Sequence, residues 1–134
     1  MRQYVEFGLM GVDPDEVTRA LGLFPTETRK AGAERAPGKV WHHHDWSIRS
    51  GVSETEIDAA KHFEDLFAIL QPHIADINAF TKRWHVTPSI SWVVYVFADE
   101  QAPNGVIPPQ TFRILCELDA WLNVSLYFDR QALG

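Results

Sequence analysis

The segment from Pro88 to Ala98 constrains the fold more than any other stretch of the chain. Ile90, Trp92, Val94 and Val96 alternate there with Val93, Tyr95 and Phe97, so a strand at this place is apolar on both faces. Such a strand belongs inside a sheet rather than at its rim. The sheet around it must then be covered on two sides or turn one apolar side toward a partner.

The other elements follow from spacing. Gln3 to Gly11 alternates as a strand, with Val5, Phe7 and Leu9 on one face. Asp13-Pro14-Asp15-Glu16 marks a helix start, because Asp13 caps free N–H groups, Pro14 suits the first helical position and Glu16 stands at capping-box spacing. Val17, Ala20 and Leu21 make its stripe, Gly22 supplies the left-handed end and Pro25 prevents continuation. Thr26 to Lys39 has no periodicity, and its basic, turn-rich composition predicts a surface loop. Val40 to Ser50 reads as a second strand with Val40, His42, His44, Trp46 and Ile48 toward the core. Ser53-Glu54-Thr55-Glu56 reads as another capping box, opening a stripe of Ile57, Ala60, Phe63, Phe67 and Leu70 widened by Leu66 and Ile69. Pro72 interrupts it, and Ile74, Ile77, Phe80 and Trp84 resume a stripe. Pro103-Asn104-Gly105 predicts a turn, Pro108-Pro109 a last helix with Phe112, Leu115, Cys116 and Leu118 inward. In a final strand Val124, Leu126 and Phe128 alternate with Ser125, Tyr127 and Asp129.

With 134 residues, the order β-α-β-α(α)-β-α-β predicts a single α+β domain over residues 1–134. The expected sheet is four-stranded and mainly antiparallel, a ferredoxin-like variant with a helical insertion between strands 2 and 3. A chain that turns back at Pro72 makes those two strands antiparallel, as a ferredoxin-like sheet requires; a chain that runs straight through makes them parallel. The turn-back is the expectation.

Several segments together resemble domain-of-unknown-function family 4279, a family of small bacterial α+β proteins. The likeness rests on Asp13-Pro14-Asp15-Glu16-Val17-Thr18-Arg19-Ala20-Leu21-Gly22-Leu23, on Pro25-Thr26-Glu27-Thr28 with Gly32, on Trp46-Ser47-Ile48 and on Leu126-Tyr127-Phe128-Asp129. The Leu-Gly-Leu-x-Pro-Thr-x-Thr segment is its most specific part. The resemblance implies one compact domain and assigns no activity, substrate or catalytic residue. The run His42-His43-His44 lies outside the family pattern.

Charge and composition exclude several classes. A net charge of −6 argues against nucleic-acid binding, which needs a basic face to displace phosphate counterions. No apolar run approaches the roughly 18–20 residues that span a bilayer, so no membrane role is expected. Glu6 breaks the apolar run that a signal peptide would need. Cys116 is the single cysteine, which points to a reducing compartment, the cytoplasm.

The chemistry-bearing residues are few. On a strand, His42 and His44 would share a face about 6–7 Å apart and could chelate a metal. A third or fourth ligand from His62, His73, His85 or a carboxylate has no spacing motif to supply it. The expectation is therefore no metal and no cofactor, the imidazoles packing against Trp46, with metal-assisted hydrolysis at His42 and His44 as an alternative. Gly32 to Lys39 fails as a phosphate-binding loop, having five residues between Gly32 and Gly38, Val40 where Ser or Thr is needed, and a strand following. Arg29, Lys30, Arg35 and Lys39 concentrate positive charge, making Arg29 and Lys30 candidates for an anionic ligand or acidic partner. Cys116 reads as a buried structural thiol. Asp13, Asp15 and Glu16 are explained by capping and Asp99-Glu100 by a polar loop. No Ser-His-Asp layout or Gly-x-Ser-x-Gly elbow is present.

Five Trp, eight Phe and three Tyr remain to be housed. Phe63, Phe67, Phe80, Phe112 and Trp92 fall to the core. If Val5, Phe7 and Leu9 face the helices, the opposite face receives Tyr4, Trp41, Tyr95, Phe97 and Tyr127. One row of helices cannot cover both, so Tyr4, Trp41, Tyr95 and Tyr127 need a wrapping helix or a partner. The expected function is a non-enzymatic binding or protein-interaction domain, a homodimer through this aromatic face or bound there to another protein. The alternative is an immunity- or inhibitor-type protein whose acidity steers it to a basic partner.

Overall fold

The computed structural model describes residues 1–97 and 106–128. In chain order its elements are β1 (Arg2–Met10), α1 (Pro14–Leu21), β2 (Glu27–Arg29), β3 (Glu34–Ala36), β4 (Lys39–Val40) and β5 (Asp45–Arg49). There follow α2 (Ala59–Leu70), a 3-10 turn (Gln71–His73), α3 (Ile74–Trp84), β6 (Ser89–Val96), α4 (Pro109–Leu118) and β7 (Trp121–Phe128). Five strands form one sheet in the order β2-β5-β1-β6-β7, and β3 pairs with β4 in a separate hairpin.

The middle strand, β1, shows why the layers separate. Gln3, Val5, Phe7 and Leu9 are buried, and period-two alternation sets them all on one side. Their lateral neighbours in register are Ile48 and Trp46 on β5 and Val94, Trp92 and Ile90 on β6. The apolar residues of this side join the buried residues of α1, α2, α3 and α4 in one continuous core. Val93, on the opposite side of β6, is not part of it.

Helix α1 forms as its caps dictate. Asp13 Oδ1 accepts the Asp15 N–H at 2.9 Å, Pro14 takes the first turn, and Gly22 closes the helix at φ +65° with its N–H on the Thr18 carbonyl. Glu16 does not reach back to Asp13; it pairs with Arg19 at 2.9 Å. Trp46, wholly buried, locks the helix to the sheet. Its ring meets Phe7 edge-on at 6.3 Å and its Nε1 donates to Thr18 Oγ1 at 3.1 Å.

Several expectations are corrected. The sheet is not four-stranded and mainly antiparallel but five-stranded and mixed, because β7 runs parallel to β6. Strands β5 and β6 are both antiparallel to β1, which lies between them, so they run parallel to each other. The antiparallel pair that a ferredoxin-like sheet requires there is not formed, and the turn-back at Pro72 fails with it. The expected loop from Thr26 to Lys39 holds β2, β3 and the start of β4, since β2 takes the outer edge of β5 and β3 turns back on β4. The second long strand starts at Asp45, not Val40, leaving His42 and His43 in a bend. The last helix is rotated: Thr111, Ile114 and Leu118 face inward, while Phe112 and Cys116 are exposed. Asp99-Glu100, the Pro103-Asn104-Gly105 turn, Ala98 and Asp129 lie outside the described residues.

The second helix begins at Ala59, capped by Asp58 Oδ1, rather than at Ser53. Ser53 to Asp58 instead crosses the start of β1. The Gln3 backbone N–H donates to the Glu54 carbonyl at 2.9 Å and its side-chain Nε2 to the Glu56 carbonyl at 2.8 Å. Buried His62 meets the same Glu56 carbonyl through Nε2 at 2.9 Å, and Gln3 Oε1 accepts from Trp92 Nε1 at 2.8 Å. These bonds claim carbonyls that a helix starting at Ser53 would have used.

Candidate functional site

The side of the sheet away from the helices collects Arg2, Tyr4 and Glu6 from β1, Arg49 from β5, Val93 and Tyr95 from β6, and Ser125 and Tyr127 from β7. Among the described residues no helix packs on it. Tyr95 and Tyr127 stand opposite one another across the β6–β7 pair, and their rings stack at 5.1 Å with planes 19° apart. They remain 40% and 51% exposed, so the stack is a surface feature, not core packing.

Tyr4 and Tyr95 line a shallow pocket of about 300 Å³ with Arg2, Arg49, Glu54 and Phe97. The Arg49 guanidinium lies 3.9 Å from the Tyr4 ring centroid, a cation–π contact. It also bonds Glu6 at 3.1 Å and approaches Glu27 at 3.5 Å and Glu54 at 3.7 Å. Three carboxylates thus compensate the Arg49 cation within the pocket. Burial, reinforced by Glu6 and opposed by Arg49, pushes the Tyr4 hydroxyl up to about 12. It therefore presents a neutral phenol at any physiological pH.

The residues expected from the sequence do not all converge. Tyr4, Tyr95 and Tyr127 share the open face. Trp41 lies in no strand of that sheet; it follows β4 and closes the hairpin, donating its N–H to the Ala33 carbonyl and accepting from Gly32, and its ring meets the far end of the same side beside Arg29, Met10 and Asp45. Arg29 and Arg35 lie 4.3 and 5.1 Å from its ring, and the three line a second pocket of about 180 Å³ with Met10, His42 and Asp45. Burial, partly offset by Arg29, raises the Asp45 carboxyl above the usual range. Lys30 turns the other way, binding Asp15 at 2.6 Å and Asp13 at 3.6 Å, so the expected Arg29–Lys30 site is split. The Asp15 N–H, helped by Lys30, holds the Asp13 carboxyl below its ordinary value.

The histidine expectation is corrected as well. His42 and His44 occupy no strand, so alternation does not set them on one face, and His44 Nδ1 instead accepts the Ala31 N–H at 3.1 Å. Among the described residues no group of three His, Cys, Asp or Glu is arranged to hold a metal ion.

A family model described as Domain of unknown function (DUF4279) matches residues 2–129. The chain belongs to the DUF4279 family. No curated protein and no solved structure matches it. In this DUF4279 domain the Leu21-Gly22-Leu23-x-Pro25-Thr26-x-Thr28 segment has a structural task. Gly22 ends α1, the Thr26 N–H donates to the Ser47 carbonyl at 2.8 Å, and Thr26 Oγ1 accepts the Arg49 N–H at 2.9 Å. The segment thus seats β2 along β5 and holds the backbone of Arg49, which serves the open face. No helix among the described residues is long and apolar enough to cross a membrane.

Arg49 and Glu54 line the pocket although the sequence reading did not single them out. Arg49 falls on the same side of its strand as Asp45 and Ser47, a period-two signal that could have found it. Glu54 is placed only by the bonds to Gln3, and no local pattern foretells it.

Proposed function

We propose that this DUF4279 domain is a non-enzymatic protein-binding domain whose partner seats on the open sheet face around Tyr4, Tyr95 and Tyr127. The observation that carries this reading is the exposed Tyr95–Tyr127 stack on a sheet side that no described helix covers. Stacked tyrosines flanked by Arg2 and Arg49 have the composition of an interface centre, where Tyr and Arg are enriched. The compensated Arg49 and neutral Tyr4 suit contact with a protein surface better than proton transfer. A net charge of −6 favours approach to a partner with a basic rim. The single cysteine, exposed Cys116, suits the cytoplasm.

The test compares partner recovery by the wild-type chain and by a Tyr95→Ala/Tyr127→Ala variant, using cross-linking in cells of the native host and quantitative mass spectrometry. Central aromatic anchors contribute about 2 kcal/mol or more each, so recovery of the specific partner should fall at least roughly tenfold. Recovery equal to wild type would reject the face as the binding surface.

A further inference from the structure

The two edges of the sheet are built differently. The β2 edge is three residues long and carries Glu27 and Arg29, the short charged kind of strand that resists further pairing. The β7 edge is eight residues long, Trp-Leu-Asn-Val-Ser-Leu-Tyr-Phe, without a charge, proline or glycine. Among the described residues its outer side is unpaired. Trp121, Val124, Leu126, Tyr127 and Phe128 are each more than half exposed, so the helical layer stops short of it. A long, neutral, apolar edge is a template for another strand.

The order of its residues says which strand. From Trp121 to Tyr127 the run is aromatic, leucine, polar, valine, polar, leucine, aromatic, the same read from either end. An antiparallel partner related by a two-fold axis through Val124 sets Val124 against Val124, Leu122 against Leu126, Asn123 against Ser125 and Trp121 against Tyr127. Each pair matches like with like, and no charges face one another. Alternation keeps the leucines and valines on the helix side and the aromatic and polar pairs on the open side.

We infer that this edge binds a second copy of the chain, β7 to β7, joining two five-stranded sheets into one of ten strands. Self-complementarity about one axis is what an isologous dimer demands. The pairing carries the Tyr95–Tyr127 stack onward to Trp121 of the second copy, merging the two open faces. It stands whether or not the face binds another protein. An aromatic side chain buries about 150–250 Å², so three half-exposed aromatics offer on the order of 300–400 Å² per copy. Even with Val124, Leu126 and the backbone added, this is at the low end beside the roughly 800 Å² per partner of a standard interface. The dimer should therefore dissociate on dilution.

Sedimentation velocity over a dilution series tests it. The wild-type chain should pass from monomer to dimer with concentration, and Val124→Lys, which opposes two ammonium groups on the axis, should weaken association at least tenfold while far-UV circular dichroism stays unchanged. Val124→Cys in a Cys116→Ser background should form an intermolecular disulfide on mild oxidation, since opposed residues of an antiparallel pair lie about 4.5–5.5 Å apart, within disulfide reach. A monomer at every concentration overturns the inference. So does a dimer that survives Val124→Lys and resists the cross-link; its loss in Tyr95→Ala/Tyr127→Ala instead would assign self-association to the face.

Discussion

Trp46→Ala is expected to lower the free energy of unfolding by about 3–5 kcal/mol, the range for truncating a buried aromatic. Trp46 is the largest fully buried side chain, and it joins three elements: its own strand β5, Phe7 on β1 and Thr18 on α1. Alanine leaves a cavity that the sheet cannot close, because β5 is held on both edges by β1 and β2. A domain of this size has roughly 5–15 kcal/mol in total, so the variant loses a large share of it. Urea denaturation should show a lower midpoint at unchanged slope. A loss below about 1 kcal/mol would mean that α1 is not fastened through this indole.

The second large effect is expected at Gln3. Gln3→Leu keeps the backbone bond to Glu54 but removes the acceptor for Trp92 Nε1 and the donor to the Glu56 carbonyl. The Glu56 carbonyl retains His62, whereas the Trp92 N–H, in a residue 6% exposed, is left without its acceptor. A buried orphan donor costs about 1–3 kcal/mol, and with the bond to Glu56 the loss should reach about 2–4 kcal/mol. The consequence extends to the proposed site, since Ser53 to Asp58 carries Glu54 into the tyrosine pocket. Amide exchange in that segment should accelerate well beyond the global change. Uniform acceleration across the chain would show that Gln3 acts on overall stability alone.

What was legible in the sequence was the part governed by near neighbours. The caps of α1 could be read because Asp13, Pro14 and Gly22 act within one helical turn. The two sides of the sheet could be read because Val5, Phe7 and Leu9 alternate, and the same parity placed Tyr4, Tyr95 and Tyr127 together. The remainder depends on partners far along the chain. Three residues of β2 carry no period; they become a strand only through pairing with β5. The Ser53 capping box lost to Gln3, fifty residues away, and to Asp58. In α4 two stripes competed, and the one holding Thr111 and Ile114 faced the core in place of Phe112 and Cys116. The alternation that carries Trp41 into the second strand stops at the bend of His42 and His43. The mixed order of the sheet was out of reach for the same reason, since parallel pairing of β6 and β7 is set by the α4 crossover and not by either strand.

The central claim is that, among the described residues, no helix covers the Tyr95–Tyr127 part of this sheet side and no strand pairs the outer edge of β7, and that the proposed binding happens there. Hydroxyl-radical footprinting of the wild-type protein, from dilute to concentrated, tests it most directly. In dilute solution Tyr95, Tyr127 and Trp121 should be oxidised readily while Trp46 and Trp92 stay almost untouched. Raising the concentration should then protect Trp121 and Tyr127. If Tyr95, Tyr127 and Trp121 are already as slow as Trp92 in the dilute protein, the chain covers its own sheet and the account is wrong.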